Sequence, residues 1–487
     1  MNTDIRNLEP KALWNKFADL NAVPRPSKKE ERVIKFMKDF GKNLGLETIE
    51  DEVGNVIIRK PATKGMEDLK PIVMQSHLDM VHQKNNDTVF DFDTQGIEMF
   101  VDGDWVKAKG TTLGADNGLG VATIMAILES DSIAHPDLEA LFTIDEETGM
   151  TGAMGLKGGL LKGDILLNLD TEEDDEIGVG CAGGVDVTAT GNYIEEPIAS
   201  DGNKAIKMVV KGLQGGHSGM QIHEGLGNAN KIMNRLLYAV IEDVKIAQID
   251  GGSLRNAIPR ESVATVVFRA DKEDLLMNLL NALSETIKKE FKTMEPDLKI
   301  VFSETEFPKN VMPFDAQVQI VNAIYAAHNG VYRMSADISD LVETSNNIAR
   351  VIVKDGEIKI GCLTRSSVES SKMDLANALR ATFELAGCNV EFSGEYPGWQ
   401  PNMDSDILKV MIPIYERLNN GEKPHVAACH AGLECGILGQ NYPDMDMISF
   451  GPNIKGAHSP DERAQISSAQ KYWEFVIEIL KNIPKKD

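Results

Sequence analysis

Residues 71–79, PIVMQSHLD, and residues 118–129, GLGVATIMAILE, decide the fold. The first stretch is predicted to be a short apolar strand that runs into His77, and the second an apolar helix opened by a Gly-rich turn. Further apolar strands are predicted at 138–144 and 165–169. Short apolar strands that alternate with helices are typical of a buried, largely parallel sheet with helices on both faces. We therefore expect an α/β domain with a mixed, largely parallel sheet.

A second domain is predicted after residue 180, where the strands become longer and alternate between apolar and polar residues. Strands are predicted at 205–211 and 262–270, with helices at 227–243 and 272–289. This β-α-β order is typical of an open-faced α+β sandwich. A similar order recurs between residues 314 and 392, and one interpretation is a duplicated ferredoxin-like unit.

The last part of the chain returns to the α/β pattern, with helices predicted at 404–418 and 465–483 and a strand at 447–450. The second domain is therefore expected to be inserted into the first. The expected boundaries are residues 1–185 and 398–487 for the two segments of the first domain and residues 186–397 for the inserted domain.

Charge and composition exclude several classes of function. Among the 487 residues, 75 are Asp or Glu and 50 are Lys or Arg, a formal net charge of −25. A field of this sign repels phosphate backbones and anionic lipids. No uncharged apolar run approaches the roughly 20 residues that span a bilayer, and residues 1–17 lack the apolar core of a secretory signal. We expect a cytoplasmic protein that binds neither nucleic acid nor membrane.

Five short motifs lie at predicted strand ends or in the loops that follow them, where open α/β sheets place their ligands. They are HLD at 77–79, GADNG at 114–118, DEETG at 145–149, NLD at 168–170 and GAHS at 456–459. Each alone has an ordinary reading, because Asp is a routine turn residue and Glu147 could simply favour a helix start. Adjacent carboxylates after an apolar strand, however, repel each other unless a cation compensates them. Together the motifs supply the N and O ligands that a pair of zinc-like ions requires.

The order of these motifs, with GGHSG at 215–219, resembles the dinuclear zinc amidohydrolase and peptidase family that includes carboxypeptidase G, aminoacylases, tripeptidases and carnosinases. The resemblance covers essentially the whole chain and implies a phosphorylase/hydrolase-like catalytic domain with an inserted lid domain. The aminoacyl-histidine dipeptidase branch, or cytosol non-specific dipeptidase branch, is most similar. The motifs that carry this similarity are HLDMV at 77–81, LGADNG at 113–118, DEETGM at 145–150, NLDTEE at 168–173, GLQGGHSG at 212–219, GGSLRNAIPR at 251–260 and HAGLECG at 430–436.

The resemblance implies two divalent metal ions, zinc first, with manganese or cobalt as alternatives. Asp116 would be the carboxylate that bridges the two ions. His77 and Asp170 would complete one site, and Glu147 and His458 the other.

Three further residues would act on the reaction. Asp79 would lie close to the second ring N–H of the histidine at position 77 and fix its tautomer. Glu146 would be the general base that takes a proton from the metal-bound water and passes it to the leaving nitrogen. His217 would stabilise the oxyanion.

Substrate recognition is carried over from the same branch. Arg365 would bind the carboxylate of a free dipeptide, because a guanidinium is a planar fork of donors. Asn256 and Gly432 would make further contacts near the same group. Arg255 and Arg260, which lie beside the candidate asparagine, could equally be surface residues.

The function implied is metal-dependent hydrolysis of unblocked dipeptides, including Xaa-His and, as an open question, β-alanyl-histidine. An N-acyl amino-acid deacylase or an aminotripeptidase on the same metal site is the first alternative. A non-catalytic metal-binding protein is the second, although it predicts loss of the base and Glu146 is present. The partner is expected to be a small peptide substrate, and both a monomer and a homodimer fit the sequence.

Overall fold

The structure is a computed structural model that describes residues 3–486. Its contacts divide the chain into two units. The first unit comprises Met1–Gly180, Pro401–Ala428 and Leu433–Asp487, and the second comprises Cys181–Gln400 and Cys429–Gly432.

The helices and strands are numbered in chain order. The helices are α1 Lys11–Leu20, α2 Glu31–Asn43, α3 Ala115–Glu129, α4 Glu146–Gly149, α5 Thr151–Gly155, α6 Ala229–Ala239, α7 Glu273–Glu290, α8 Phe314–Ala326, α9 Glu369–Leu385, α10 Asp406–Leu418, α11 Glu434–Asn441 and α12 Ile466–Lys481. The strands are β1 Glu47–Glu50, β2 Val56–Lys60, β3 Ile72–His77, β4 Met99–Asp102, β5 Trp105–Ala108, β6 Leu138–Thr143, β7 Ile165–Asn168, β8 Glu176–Cys181, β9 Gly183–Asn192, β10 Glu196–Pro197, β11 Asn203–Lys211, β12 Val244–Gly252, β13 Ser262–Arg269, β14 Lys299–Glu304, β15 Asn310–Val311, β16 Gly330–Met334, β17 Val342–Lys354, β18 Glu357–Ser366, β19 Asn389–Tyr396, β20 His425–Cys429, β21 Asp446–Ser449, β22 Ile454–Lys455 and β23 Arg463–Gln465. Short 3-10 helices cover Ile5–Asn7, Ile222–Glu224 and Ala270–Lys272.

The first unit is built on a sheet with the strand order β1-β2-β6-β3-β7-β21-β8-β20. Strands β6, β3, β7 and β21 pair in parallel, while β1, β2 and β8 pair antiparallel to their neighbours. Every residue of β3, β6 and β7 is buried, as expected for parallel strands covered on both faces. The prediction of a mixed, largely parallel sheet is confirmed.

Helix α3 covers this sheet and is the helix predicted from residues 118–129. It packs on both β3 and α1, and 13 of its 15 residues are buried. A helix that is apolar on all sides belongs in the interior. Its start follows Gly114, whose φ of 69° lies in the left-handed region that glycine adopts without steric cost. The Gly-rich turn therefore allows the chain to enter a buried helix abruptly, directly beside the end of β3.

A second, four-stranded sheet in the first unit has the order β22-β23-β5-β4. Strands β22 and β23 pair antiparallel, with Ile454 opposite Ala464 and Lys455 opposite Arg463. The loop between these strands, residues 456–462, contains one of the predicted histidine ligands.

The second unit is built on one antiparallel sheet with the order β14-β11-β13-β12-β17-β18-β9-β19, and β16 pairs with β17. Strands β11 to β14 and helices α6 and α7 alternate as β-α-β-β-α-β. Numbered within this group, the spatial order is 4-1-3-2. Strands β9, β17, β18 and β19 with helices α8 and α9 have the same order. The first strand of this second group precedes the whole first group in the chain.

The core of the second unit is a continuous apolar cluster that includes residues of helices α6 to α9 and of the sheet. Alternating inward-facing residues of the long strands supply the sheet side, as in Ala264, Val266 and Phe268 of β13. Within residues 3–486, no helix combines the length and the apolar content that a membrane crossing requires.

Candidate functional site

Three predicted ligand segments lie at one edge of the first unit's sheet. His77 is the last residue of β3, Asp170 follows β7 by two residues, and Glu146 and Glu147 begin α4 shortly after β6 ends. Parallel strands end at the same edge, so the loops that follow them are neighbours. Asp116 joins this group from the first turn of α3.

The first cluster consists of His77, Asp116 and Asp170. Their potential ligand atoms all lie within 4.8 Å of one another. His77 Nε2 is 3.2 Å from Asp116 Oδ1 and 3.6 Å from Asp170 Oδ1. The side chain of Asn117 donates a hydrogen bond to the same oxygen of Asp170. A histidine nitrogen and two carboxylates thus converge on one point, in the manner of a metal site.

The second cluster consists of Asp116, Glu147 and His458, again with ligand atoms within 4.8 Å of one another. His458 Nε2 is 3.2 Å from Asp116 Oδ2 and 2.9 Å from Glu147 Oε2. Among the described residues, the other oxygen of Glu147 is buried without a hydrogen-bond partner. An ionised carboxylate oxygen is costly to bury unless a donor or a cation meets it.

Asp116 belongs to both clusters and presents one oxygen to each. Its Oδ1 faces His77 and its Oδ2 faces His458. A carboxylate shared in this way would be a ligand to two cations at once. The set of imidazole nitrogens and carboxylate oxygens suits zinc, manganese or cobalt. The residues present therefore fit a pair of divalent ions.

The electrostatics of the clusters point in the same direction. Burial raises the pKa of Asp170 well above its usual value, and the charge of Asp116 raises it further. Burial likewise raises the pKa of Glu146, with the charges of Asp170, Glu434 and Glu147 adding to it against His77. Crowded, buried carboxylates repel one another, and cations are the natural compensation.

The pKa of His458 indicates that a cation would be stabilised between this histidine, Asp116 and Glu147. Its hydrogen bonds to Asp116 and Glu147 raise its pKa to about 11. A proton on Nε2 satisfies the same oxygens that a metal ion would, so protons and metal compete for this position.

Asp79 is fully buried and does more than the sequence predicts. The Nδ1 atom of His77 lies 3.2 Å from the Asp79 carbonyl oxygen and 3.4 Å from its carboxylate. Because both are acceptors, Nδ1 carries a proton, and the Nε2 atom is the one that would bind a metal ion. Asp79 also accepts the backbone N–H groups of Glu146 at 3.1 Å and Glu147 at 3.4 Å, and the Ser27 hydroxyl at 2.8 Å. One carboxylate therefore orients the histidine and the start of α4 together.

Several buried charged residues near these clusters have no counterpart in the sequence predictions, and they include Glu434, Arg25 and Glu462. Glu434 accepts hydrogen bonds from Gln75 Nε2 at 2.6 Å and Thr143 Oγ1 at 2.7 Å, and burial raises its pKa to about 7. Arg25 and Glu462 bind the backbone of the ligand-bearing turns. The HAGLECG motif contained a signal for Glu434, whereas no local pattern singles out the other two.

His217 lies in the second unit, in the Gly-rich turn after β11. Its Nδ1 accepts the backbone N–H groups of Gly219 at 3.2 Å and Met220 at 3.1 Å. Nδ1 is therefore the unprotonated nitrogen, and the ring proton is on Nε2. Burial and the charge of Arg365 lower the pKa of His217. The imidazole is thus a neutral donor through Nε2.

The predicted substrate residues also lie in the second unit. Arg365, on β18, is 5% exposed, and its Nη1 donates to Tyr396 Oη at 2.5 Å. Its Nε is buried without a partner among the described residues. Asn256 is exposed, and its backbone carbonyl accepts the N–H of Ser218 at 2.8 Å, which places it beside the His217 turn. Gly432 lies in the short segment Cys429–Gly432, which belongs to the same unit.

Arg255 and His430, which lie close in sequence to the predicted substrate residues, also have defined side-chain contacts. Arg255 is not a free surface residue, because its Nε lies 3.1 Å from Asp186 and its Nη2 donates to Thr188 Oγ1 at 2.6 Å. His430 is 6% exposed, and its Nε2 is 2.8 Å from Ser345 Oγ. Burial, helped by the charge of Arg365, lowers the pKa of His430 to about 3, so its imidazole is neutral.

Known proteins with similar sequences carry dipeptidase names. The chain is 44% identical over 486 residues to "Cytosol non-specific dipeptidase" of Escherichia coli (strain K12), covering 99% of this chain and 100% of that protein. The structure matches aminoacylhistidine dipeptidase from Vibrio alginolyticus with a TM-score of 0.94 and 44% identity, covering 99% of each chain. These matches confirm the branch resemblance that the motifs indicated.

A more distant match shows the fold alone. Aminopeptidase PepT from Bacillus cereus has a TM-score of 0.57 at 17% identity, covering 97% of this chain and 98% of that one. The family model described as peptidase family M20/M25/M40 matches residues 73–482, which contain all the predicted metal ligands. With that match over most of its length, and a full-length relative at 44% identity, the chain belongs to peptidase family M20/M25/M40.

Proposed function

We propose that this chain is a metal-dependent dipeptidase that hydrolyses unblocked dipeptides, including Xaa-His. The observation that carries the proposal is the placement of Asp116, whose two oxygens each face a separate histidine–carboxylate cluster. The dipeptidase names of relatives at 44% identity support the substrate class. We propose two ions per chain, zinc first and manganese or cobalt as alternatives, with Asp116 shared between them.

The remaining ligands of each ion follow from the two clusters. His77 and Asp170 would hold one ion, and Glu147 and His458 the other. When bound, two such ions polarise the scissile carbonyl and lower the pKa of a water molecule. The chain's own part is to hold the ligands still, to move protons and to orient the peptide.

Glu146 is the proposed general base. Its carboxylate lies beside the first cluster, with Oε2 4.0 Å from His77 Nε2. Its backbone N–H is fixed by Asp79, and the next residue is a proposed ligand. A carboxylate held in this way can accept a proton from the attacking water and deliver it to the leaving nitrogen.

His217 is the proposed oxyanion donor and Arg365 the proposed partner of the substrate carboxylate. The tautomer of His217 supports its role, because a neutral ring with the proton on Nε2 can donate to a developing negative charge. The unpartnered Nε of Arg365 is a buried donor, and the Tyr396 hydroxyl orients the guanidinium. Asn256 and Gly432 are proposed to contact the substrate near the same group.

A substrate panel tests this function. Purified protein is incubated with Ala-His, β-Ala-His, Gly-Gly, a tripeptide and an N-acetyl amino acid, before and after chelation and after metal restoration. We expect chelator-sensitive cleavage of the free dipeptides alone. Cleavage of the tripeptide or the acyl amino acid instead would assign the same site to an aminotripeptidase or a deacylase. No turnover of any substrate would contradict an enzyme.

Two neighbouring glutamates separate chemistry from metal binding. Glu146→Gln should keep both ions and lose about 10²- to 10⁴-fold in kcat, the usual contribution of a general base. Glu147→Gln should lose metal itself, because it removes a proposed ligand. Metal content measured beside kcat distinguishes the two, and near wild-type turnover in Glu146→Gln would contradict the assignment of the base.

The cellular setting follows from the same relative. We propose a cytosolic protein, as the name of the Escherichia coli relative states for that enzyme. Its partner is a small peptide, and light scattering would distinguish the monomer and the homodimer that the sequence leaves open.

A further inference from the structure

The candidate metal ligands of the first unit come from turns that are far apart in the chain. His77 ends β3, Asp116 is the second residue of α3, and His458 lies in the loop between β22 and β23. A site that must hold two ions needs these turns at fixed separations, because ligand positions must be held within about 0.5 Å. Two buried charged side chains outside the ligand set connect the turns: Glu462 and Arg25.

Glu462 connects the turn of Asp116 to the loop of His458. Glu462 is 2% exposed. Its two oxygens accept four consecutive backbone N–H groups: those of Leu113 at 2.7 Å, Gly114 at 2.9 Å, Ala115 at 2.7 Å and Asp116 at 3.3 Å. The backbone N–H of Glu462 itself donates to the Ser459 carbonyl at 3.0 Å, which closes the turn directly after His458. One side chain therefore fixes two ligand-bearing segments to each other.

Arg25 connects the turn of Asp116 to the turn after His77. It is 1% exposed. Its Nη1 donates to the carbonyls of Leu78 at 3.1 Å and Asp79 at 3.0 Å, and its Nη2 donates to the Gly114 carbonyl at 2.5 Å. A guanidinium is suited to this task because its donors form a rigid planar fork.

The glycines around Asp116 are consistent with this close packing. A Cβ atom added at Gly114 or at Gly118 would lie 2.6 Å from Arg25 Nη2. The GADNG motif thus needs glycine at both ends, because the guanidinium occupies the space of a side chain. Burial lowers the pKa of Arg25 to about 10, and the charge of Glu462 is the largest of the effects that oppose this.

We propose that Glu462 and Arg25 form a brace that positions the metal ligands, with Glu462 setting Asp116 relative to His458 and Arg25 setting Asp116 relative to His77. The inference rests on the proposed dinuclear centre. Both are positioning residues, because their side chains contact backbone groups of the ligand-bearing turns. Since Asp116 would be shared by both ions, loosening its turn should weaken both.

The test is Glu462→Gln. Glutamine keeps the size of the side chain but turns an amide N–H₂ toward backbone N–H donors, so part of the carboxylate's hydrogen bonding is lost. Zinc affinity is measured by chelator competition on metal-free protein, and the ligand geometry by the absorption spectrum of the cobalt-substituted protein. We expect a loss of about 10- to 100-fold in the affinity for both ions, the usual effect of a residue that orients ligands, and a changed cobalt spectrum.

Glu139→Gln is the matched control. Glu139 lies on β6 in the same unit and is 6% exposed. Its carboxylate also accepts backbone N–H groups, from Lys162 at 2.6 Å and Gly163 at 3.0 Å, and the Arg59 Nε at 2.8 Å. This control should lower the melting temperature while leaving metal affinity and the cobalt spectrum as in the wild type. A role of Glu462 in stability alone would make the two variants behave alike.

Wild-type metal affinity and cobalt spectrum in Glu462→Gln would overturn the proposal, whatever its melting temperature. If that variant does not fold, Arg25→Lys replaces it, since lysine keeps the charge but loses the fork. Wild-type metal affinity there, or failure of both variants to fold, would also overturn it. Metal stoichiometry and dipeptide cleavage by the wild-type protein are measured in parallel. A wild type that binds no metal contradicts the proposed function, whereas a normal wild type with an unaffected variant contradicts only the brace.

Discussion

Replacement of His217 by asparagine removes the one N–H group that the proposed reaction needs from this residue. In the structure, Nδ1 accepts the N–H groups of Gly219 and Met220, which leaves Nε2–H as the donor. The Oδ1 atom of asparagine can take over the role of Nδ1, because it is an acceptor at a similar distance from the backbone. The Nδ2–H₂ group of asparagine lies too close to the backbone to reach the position of Nε2–H.

The expected loss of kcat follows from the separate roles of the two ring nitrogens. Removal of one oxyanion donor lowers kcat by about 10²- to 10³-fold, or about 2.7 to 4 kcal/mol of transition-state stabilisation. The KM should change little, because the interaction strengthens only as charge develops on the oxygen. The two backbone hydrogen bonds, worth about 1 kcal/mol each, are kept, so the melting temperature should stay near that of the wild type.

Steady-state hydrolysis of Ala-His at saturating zinc measures the effect, with metal content and melting temperature determined on the same samples. His217→Gln is the partial rescue, because its longer side chain carries an N–H donor further out and should keep more activity than asparagine. His223→Asn is the matched control, since this exposed histidine lies six residues along in the same segment. It should retain wild-type kcat.

A kcat of His217→Asn within a few-fold of the wild type would refute the assignment of the oxyanion donor. Loss of bound metal, or a large fall in melting temperature, would refute the assignment of separate roles to the two ring nitrogens, Nδ1 as backbone acceptor and Nε2–H as oxyanion donor. Equal losses in His217→Asn and His223→Asn would show that the effect belongs to the segment and not to Nε2–H.

Three further predictions concern the first unit and the buried histidine of the second. Asp79→Asn should weaken metal binding by about 10- to 100-fold in a chelator competition, because the Asp79 carboxylate orients His77 and α4. Ser27→Ala removes only one hydrogen bond to that carboxylate and should weaken metal binding less. Equal losses of metal affinity in the two variants would contradict this prediction. Gly120→Ala should lower the free energy of unfolding by about 1 to 3 kcal/mol in a urea titration, because the new Cβ would lie 2.1 Å from Asn117 Oδ1 and 2.4 Å from Ser76 Oγ. Gly439→Ala is the control. The nearest atom to its new Cβ lies at 3.8 Å, so this variant should be neutral or stabilising. His430 has a pKa of about 3 in the folded protein. Between about pH 6.5 and 3, this histidine therefore binds a proton in the unfolded chain and not in the folded protein. Protonation favours the unfolded chain, so the free energy of unfolding decreases as the pH falls. His430→Gln should therefore lose about 2 kcal/mol less than the wild type in unfolding free energy between pH 7 and pH 5, and parallel pH profiles would count against this.

The sequence predicted elements well where a periodic pattern covered most of their length. The helix predicted at 404–418 is α10, Asp406–Leu418, and the strand predicted at 447–450 is β21, Asp446–Ser449. Strand β1, Glu47–Glu50, was not predicted. Within residues 3–486 it pairs with β2 alone, as a partly exposed edge strand, and its sequence has neither an apolar run nor a clear alternation.

The grouping of strands in the second unit could not be read from the chain. The sequence showed a repeated order of elements at 314–392. The first strand of that second group is β9, Gly183–Asn192, which precedes all of β11 to β14 in the chain. Pairing of β9 with β18 and β19 joins residues about 165 to 212 positions apart. Such pairings depend on which sheet edges are free after folding, and local patterns carry no signal for them.

The candidate metal ligands show the same division. From the residues alone, the motifs indicated only a supply of N and O ligands. The resemblance to a known family implied the five ligands, which are His77, Asp116, Glu147, Asp170 and His458. The structure brings these five residues together. The bridging placement of Asp116, with one oxygen for each cluster, depended on α3 meeting the loop of β22 and β23.

By itself the sequence determined the α/β class of the first unit, the residues able to bind metal and the family to which the chain belongs. These follow from short-range patterns: apolar periodicity, turn residues and motif spacing. Only the tertiary structure decided the roles of Arg25 and Glu462, the tautomer of His217, and the nested order of the second sheet. Glu462 meets its partners across about 350 residues of chain. The positions of such contacts are set by packing of the whole unit, and no local segment of sequence encodes them.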